Sequence, residues 1–310
     1  MSNKIVRFNL KSNLDYVAMF KWCVLASLLM GATSVWLYFS KGINYGVDFR
    51  GGAEIQVRFA NDVDLGDLRA SMEGTTVPVS SVQTIGEGSR EFLLKVETDK
   101  GDLNQASTQV GQILRTKYGA DKVEILKNDI VGPKAGAQLR NSSFQAMAWA
   151  LLAIMIYLSL RFDFKYAPGA IAALIHDVLF IIAAFIITQR EFSLQIVAAL
   201  LAVIGYSVND TVVIYDRVRE IEIARPGVHM NTILNQAINE TMSRTVLTAG
   251  ATFLVCLVMY FMGGGVIHDF FFALSLGIVS GSYSTVFIAS PITVWMDSFQ
   301  GKGEAKAKTA

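Results

Sequence analysis

Long apolar runs alternate with polar segments along the chain, in a pattern typical of a membrane protein. A helix needs about 20 apolar residues to cross a bilayer. Six runs meet that need, at residues 16–40, 141–160, 166–188, 192–215, 245–263 and 268–296. The pattern therefore predicts an all-α membrane bundle of six transmembrane helices.

The segment 41–140, between the first two apolar runs, predicts a folded α+β domain. It intersperses charges of both signs, and about 100 residues suffice to bury a core. Alternating apolar positions predict strands, and helical spacing predicts helices. The strands are at 54–60, 80–85, 90–96 and 122–130, and the helices at 64–72 and 102–118. Gly86-Glu87-Gly88 predicts a hairpin turn, and the order β-α-β-β-α-β is that of a ferredoxin-like domain.

Three further polar segments flank the predicted helices, at 1–15, 216–244 and 297–310. The middle one carries an apolar stripe at helical spacing, made of Ile233, Leu234, Ala237 and Ile238. Such a stripe suits a helix that lies along a membrane surface. We therefore expect 216–244 to be a cytoplasmic amphipathic segment that contains a helix along the membrane surface.

Basic residues concentrate on one side of the predicted bundle. That side holds Lys4, Arg7, Lys11, Arg161, Lys165, Arg217, Arg219, Arg225, Arg244, Lys302, Lys306 and Lys308. The short loops of the other side offer little beyond Arg190. Because cytoplasmic loops carry the excess of Lys and Arg, both termini are predicted to be cytoplasmic. The domain 41–140 is then periplasmic, on a bacterial inner membrane.

Composition excludes several classes of protein. Hydrophobic residues make up 52% of the chain and charged residues 17%, as expected of a protein in the lipid bilayer. The net charge of +1 provides no basic field for a nucleic acid. Cys23 and Cys256 both lie in apolar runs, so neither a disulfide framework nor a metal site is indicated. The sequence has no nucleophile–base pair or phosphate loop, so we expect no enzyme and no cofactor.

Asp210 lies inside the fourth predicted helix, where a charge is unusual. An ionisable side chain in a membrane span costs about 2.5 kcal/mol or more and indicates a function. The fifth helix enters from the same side at Arg244, with Thr248 one turn further, so Arg244 can pair with Asp210. Other polar residues close by are Tyr206, Ser207, Asn209 and Thr211.

Three interpretations of Asp210 stay open. A carboxylate that exchanges a proton for a cationic partner is the minimum part of a proton relay. The same carboxylate, with hydroxyl and amide oxygens nearby, is also suited to Na⁺. A static pair with Arg244 that fixes helix register is the structural alternative.

His176 and Asp177 form a second polar pair, near the middle of the third predicted helix. A histidine there titrates near neutrality unless burial suppresses it. We include both residues in the predicted ion pathway, with an interhelical hydrogen-bonded pair as the alternative. His268 and Asp269, at the outer end of the last helix, are interpreted as interface residues.

Five motifs together resemble the SecF family, the smaller membrane subunit of bacterial SecD–SecF complexes. They are Gly46-Val-Asp-Phe-Arg-Gly-Gly52, Gly132-Pro133 leading to Leu139-Arg140, His176-Asp177, the stretch 205–220 and Ser243-Arg244-Thr245. The stretch 205–220 is long and specific, whereas Gly-Val-Asp-Phe-x-Gly-Gly is shared with SecD-type chains. The match covers nearly the whole chain in the right order.

The resemblance implies a place in the resistance-nodulation-division superfamily, with six membrane helices and one periplasmic domain. The six helices would form half of a bundle that SecD completes. It also implies a role beside the SecYEG translocon, with YajC and YidC, in moving a preprotein after the ATP-driven step. The energy would come from an H⁺ or Na⁺ gradient. Residues that match Asp210 and Arg244 are linked to ion passage in this family, alongside an aspartate of SecD.

Two other functions remain as alternatives: half of a small-molecule exporter of the same superfamily, and a non-transporting translocon scaffold. Such exporters normally build a porter region from two larger loops, whereas this chain has one moderate domain. If the helices move, we expect the linkers Gly46–Gly52 and Gly132-Pro133 to carry the motion to the periplasmic domain.

Overall fold

The computed structural model describes residues 14–73, 75, 77, 79–85, 88–96 and 102–309. The predicted N-terminal segment 1–15 therefore lies almost wholly outside the described residues. Gly86 and Glu87 of the predicted hairpin turn lie outside them as well.

The chain starts with a membrane helix and then enters the α+β domain. In order, the elements are α1 Tyr16–Lys41, α2 Val47–Arg50, β1 Gly52–Phe59, α3 Leu65–Met72, β2 Val79–Thr84, β3 Glu91–Val96, α4 Leu103–Tyr118 and β4 Val123–Val131. Aspartate caps start three of these helices: Asp15 accepts from the amide of Ala18, Asp64 from the amides of Gly66 and Asp67, and Asp102 from that of Asn104. The single-turn helix α2 is absent from the sequence-based prediction.

The four strands form one antiparallel sheet in the order β2-β3-β1-β4. Helices α3 and α4 cover one face of the sheet, where Leu68 and Leu114 pack into a core with Ile55. Side chains alternate along a strand, so Glu54 and its cross-strand partner Lys95 lie on the opposite face. The predicted ferredoxin-like order of helices and strands is confirmed.

The rest of the chain is helical. Its elements are α5 Pro133–Arg161, α6 Ala167–Thr188, α7 Leu194–Ala224, α8 Met230–Met262, α9 Gly265–Ser284 and α10 Ser290–Thr309. A π-helical turn at Thr285–Ala289 joins α9 to α10. With α1, the described residues contain six helices long and apolar enough to cross a membrane, the sixth running from α9 into α10. The predicted fold class, a six-helix membrane bundle with one α+β domain, is confirmed.

Helices α6, α7 and the α9–α10 span form the centre of the bundle, whereas α1, α5 and α8 bury little of their surface. On α8, the exposed apolar side chains include Leu247, Leu254, Val255 and Val258. A surface this apolar suits lipid or another membrane helix.

The prediction of a separate surface helix within 216–244 is wrong. Helix α7 continues to Ala224 and α8 begins at Met230, so only a short turn separates two long helices. The apolar stripe lies inside the protein and packs with α7, in one core made of Ile214, Tyr215, Val218, Ile221, Ile233, Leu234, Ala237 and Ile238. An apolar stripe suits a neighbouring helix as well as a membrane surface, and here the neighbouring helix buries it.

Candidate functional site

Asp177, near the middle of α6, has no exposed surface. Three serine hydroxyls donate to its carboxylate: Ser207 of α7 at 2.8 Å, and Ser280 and Ser284 of α9 at 2.6 Å and 2.9 Å. These hydrogen bonds compensate for the loss of water around the carboxyl group. The group therefore joins three helices at the centre of the bundle.

Glycines allow α7 and α9 to approach closely enough for these contacts. A Cβ atom at Gly277 would lie 2.6 Å from Cγ1 of Val203, and one at Gly281 would lie 3.1 Å from Cβ of Ser207. Small residues at helix crossings are the usual means of close packing in membranes. The serine cluster thus depends on the glycines that lie beside it.

His176 lies at the edge of the serine cluster. Its Nδ1 is 3.4 Å from Oδ1 of Asp177, and its side chain is 11% exposed. Its ring lies 5.8 Å from that of Tyr283, whose hydroxyl donates to the carbonyl oxygen of Cys23 in α1. The two predicted residues therefore touch, but Asp177 takes its main hydrogen bonds from other helices and His176 lines a groove against α1.

Asp210 lies on α7 and is buried, with 4% of its surface exposed. Its Oδ2 atom has no hydrogen-bond partner among the described residues, and neither has the buried hydroxyl of Tyr206 one turn earlier. A buried carboxylate oxygen without a partner is costly, because the lost hydration is not replaced. Among the described residues, Asp177 thus has hydrogen-bond donors for both carboxylate oxygens, whereas Oδ2 of Asp210 has none.

Arg244 and Thr248 lie on an exposed side of α8. Within the described part of the chain, Arg244 forms no ion pair with Asp210, although its charge attracts that carboxylate over a longer distance. Thr248 donates a hydrogen bond to the backbone carbonyl of Arg244 at 3.0 Å. The expected direct pair is therefore not formed, because Arg244 points to the surface of the bundle while Asp210 is inside it.

An exposed stripe of small and polar residues runs along α7 beside Asp210. Its members recur at helical spacing: Gln195, Ala198, Ala202, Gly205 and Asn209. A Cβ atom at Gly205 would meet no atom within 4 Å. Small residues on an exposed side of a membrane helix favour the approach of another helix.

Two family models match the chain. The model described as "Protein export membrane protein SecD/SecF, C-terminal" matches residues 110–298, and "SecD/SecF GG Motif" matches residues 38–63. A protein translocase subunit SecF of Magnetococcus marinus is 39% identical over 289 residues, which are 92% of this chain and 93% of that protein. The chain belongs to the SecF family. It is accordingly a multi-pass membrane subunit for protein export, a transporter and not an enzyme.

Other proteins extend this relationship. The SecF subunit of Pseudomonas aeruginosa is 32% identical over 271 residues, 87% of each chain. The crystal structure of SecDF from Thermus thermophilus, described as a translocon-associated membrane protein, matches 93% of this SecF-family chain with a TM-score of 0.79 and 31% identity. A super-membrane-facing form of SecDF matches 95% of it with a TM-score of 0.71. The chain spans 39% and 40% of the lengths of those two SecDF chains.

Two further hydroxyl contacts join α7 to the last span of this SecF-family chain. Thr211 and Thr285 share a hydrogen bond at 2.9 Å, and Tyr215 and Thr293 share one at 3.0 Å. Tyr215 also donates to the carbonyl oxygen of Ala289 in the π-helical turn at 3.4 Å. Sequence reasoning named Thr211 but missed its partners, and it also missed Ser280. The available signal was the number of hydroxyl residues in the last span, which include Ser280, Ser284, Thr285 and Thr293.

A charged cluster closes the bundle at the end remote from the ferredoxin-like domain. Lys165, in the turn between α5 and α6, donates to Glu222 of α7 at 2.5 Å and to Asp297 of α10 at 3.2 Å. Tyr166 donates to the other oxygen of Glu222 at 3.0 Å. Burial lowers the pKa of Lys165, but the carboxylates outweigh it and hold that pKa above its ordinary value.

Proposed function

We propose that this chain forms a complex with a SecD subunit and uses an ion gradient to assist Sec-dependent protein export. The observation that carries the proposal is Asp210, a buried carboxylate with an oxygen that lacks a hydrogen-bond partner among the described residues. Such a group is retained in a membrane helix at a cost in stability. In the working complex, an ion, a water molecule or a group of the partner would then interact with this oxygen.

The exposed stripe of α7 supports a partner at this position. Gly205 and Asn209 lie on the stripe next to Asp210, and Arg244 lies on the exposed side of α8. A SecD helix packed there would cover the exposed stripe and bring its own aspartate close to Asp210. The solved chains named SecDF are more than twice as long as this one, which leaves room for a SecD half.

The proposed ion pathway uses residues from three helices. Asp210, Asp177 and His176 supply titratable groups, and Arg244 supplies a fixed charge near Asp210. The supporting polar residues are Tyr206, Ser207, Asn209, Thr211 and Thr248. Protonation of Asp210 would remove its attraction to Arg244 and so change how α7 and α8 pack. Either H⁺ or Na⁺ fits this scheme.

The complex would sit in a bacterial inner membrane with both termini of this chain in the cytoplasm. Basic residues support that orientation, since Arg161, Lys165 and Arg217 lie at the end remote from the ferredoxin-like domain. The domain would then be periplasmic and would meet the emerging preprotein. SecYEG, YajC and YidC are the other proposed partners.

The test is gradient-dependent completion of preprotein export in vesicles that contain the SecD–SecF complex and the translocon. Asp210→Asn should abolish the dependence on the gradient and leave the ATP-driven step intact. The matched control is Asp163→Asn, which changes an exposed carboxyl group in the turn before α6. Separate collapse of the proton and sodium gradients identifies the ion. Unchanged export by Asp210→Asn would instead favour a scaffold.

A further inference from the structure

The loop 189–194, which joins α6 to α7, is bonded to the start of the ferredoxin-like domain. The amide of Phe192 donates to the carbonyl of Asn44 at 2.7 Å, and the amide of Gly46 donates to the carbonyl of Phe192 at 3.1 Å. The amide of Leu194 donates to the carboxylate of Asp48 at 3.0 Å. The loop therefore pairs with residues 44–48 almost as a strand would.

A buried ion pair joins the same loop to the sheet. Lys95 of β3 is bonded to Glu191 of the loop, and its Nζ atom lies 3.4 Å from Oε1 of Glu54 in β1. The side chains of Lys95, Glu191 and Glu54 are only 10%, 22% and 29% exposed. Helices α3 and α4 cover the other face of the sheet, and on this face Lys95 is paired with Glu191 of the loop and Glu54 of the sheet.

The buried charge of Lys95 requires the two carboxylates beside it. Burial alone would lower the pKa of Lys95, but Glu191 and Glu54 hold that pKa above its ordinary value. Burial raises the pKa of Glu54. A buried lysine is tolerated only with such partners, so loss of Glu191 leaves a charge that is poorly compensated.

The loop is also fastened to the other helices of the bundle. Arg190 forms an ion pair with Asp269 of α9, and it donates to the hydroxyl of Tyr260 in α8 at 3.3 Å. Its guanidinium lies 4.5 Å from the ring of Phe272. The loop thus contacts the ferredoxin-like domain and its start through Glu191, Phe192 and Leu194, and the ends of α8 and α9 through Arg190.

The two helices that the loop joins carry the two carboxylates of the proposed pathway, Asp177 on α6 and Asp210 on α7. The expected linker Gly46–Gly52 is bonded to the loop at Gly46 and Asp48, and its other end packs against the second expected linker, Gly132-Pro133. Gly51 packs tightly against Pro133, since a Cβ atom at Gly51 would lie 2.7 Å from the Cα of Pro133. That contact joins α2 to α5, and neither of these helices carries a pathway carboxylate.

We propose that the loop 189–194 transmits a change in the packing of α6 and α7 to the ferredoxin-like domain, through the Lys95–Glu191 ion pair. The inference rests on the proposed function, because it assumes that an ion gradient moves these helices. Glu191 and Lys95 act as positioning residues in this scheme, since neither lies on the ion pathway.

The first experiment compares export variants in vesicles that contain the SecD–SecF complex. Glu191→Gln should lower gradient-dependent export by about fivefold or more, the range of typical coupling between sites. Glu91→Gln is the matched control, since it breaks the Arg58–Glu91 pair of 2.7 Å within the sheet and touches no part of the loop. Gradient-dependent export by the double variant Lys95→Met, Glu191→Gln should be no lower than export by the weaker of the two single variants, because the two residues act as one unit.

The outcomes separate this inference from the proposed function. Normal export by Asp210→Asn overturns the proposed function. Loss of export by Asp210→Asn, together with normal export by Glu191→Gln, overturns the coupling role of the loop and leaves the ion pathway standing.

A second measurement needs no change at the ion pair. Amide hydrogen exchange of Gly46 and Phe192 in the unmodified complex should rise when a gradient is imposed, relative to the sheet amide of Leu94. The rise should disappear in Asp210→Asn. If hydrogen exchange at Gly46 and Phe192 does not change with the gradient, in a complex whose export depends on the gradient, the inference is overturned.

Discussion

Ser207 of α7 donates a hydrogen bond of 2.8 Å to Oδ2 of Asp177 on α6, and both side chains are buried. The bond joins two helices that follow each other in sequence, with the loop 189–194 between them. Asp177 completes its set of partners with Ser280 and Ser284 from the last span. The hydrogen bonds of the Asp177 carboxylate therefore depend on how α7 and α9 are placed relative to each other.

Ser207→Ala and Ser280→Ala should each lower the stability of the bundle. Each variant removes a donor from a buried carboxylate, and hydrogen bonds to charged groups contribute about 1.5–3 kcal/mol. Thermal unfolding of the purified complex in detergent measures the loss. Ser282→Ala is the control, because Ser282 donates to the carbonyl of Ile278 in its own helix. Equal effects of all three variants would contradict the role given to Asp177.

Gly277→Ala should destabilise the crossing of α7 and α9. The added Cβ atom would lie 2.6 Å from Cγ1 of Val203, so the helices must separate. Overpacking of this kind costs about 1–3 kcal/mol. Gly277→Ala combined with Val203→Ala should recover most of the unfolding temperature. Gly250→Ala is the matched control on α8, where nothing lies within 4 Å of the added atom.

The sequence was sufficient for most of the fold because each membrane helix is a long apolar run and each domain element has its own periodicity. The prediction of a surface helix within 216–244 was wrong for a physical reason. An apolar stripe such as Ile233 and Leu234 reports burial, but it does not say whether lipid or α7 provides it.

The candidate site was harder to predict than the fold. Asp177 and Asp210 are visible in sequence as charges inside apolar runs. Ser280 and Thr285 are small hydroxyl residues of a kind common in membrane helices, and only the packing of the last span against α6 and α7 gives them partners. The distance between Asp210 and Arg244 depends on rotations of two helices, which no spacing rule supplies.

Gly205→Leu should leave the isolated chain stable and prevent its association with SecD. The stripe around Gly205 is exposed, and a Cβ atom there meets nothing within 4 Å. A bulky side chain on a face that packs against another helix keeps the two backbones apart. Co-purification with SecD from native membranes measures the association. Gly31→Leu on α1 is the control, with the same open space around it. Normal recovery of SecD with Gly205→Leu would remove α7 from the proposed interface.

Lys165→Met should lower stability without changing the central hydroxyl contacts. The variant leaves Glu222 and Asp297 without their shared cation, and we expect a loss of about 1.5–3 kcal/mol. The pKa of Lys165 is raised above its ordinary value of 10.5, so its contribution is complete below that pH and is lost only as the pH rises through the higher value. The difference in unfolding temperature between Lys165→Met and the unmodified chain should therefore be equal at about pH 7 and about pH 9. A difference that shrinks over this interval would mean that Lys165 loses its proton too early for the pairing described.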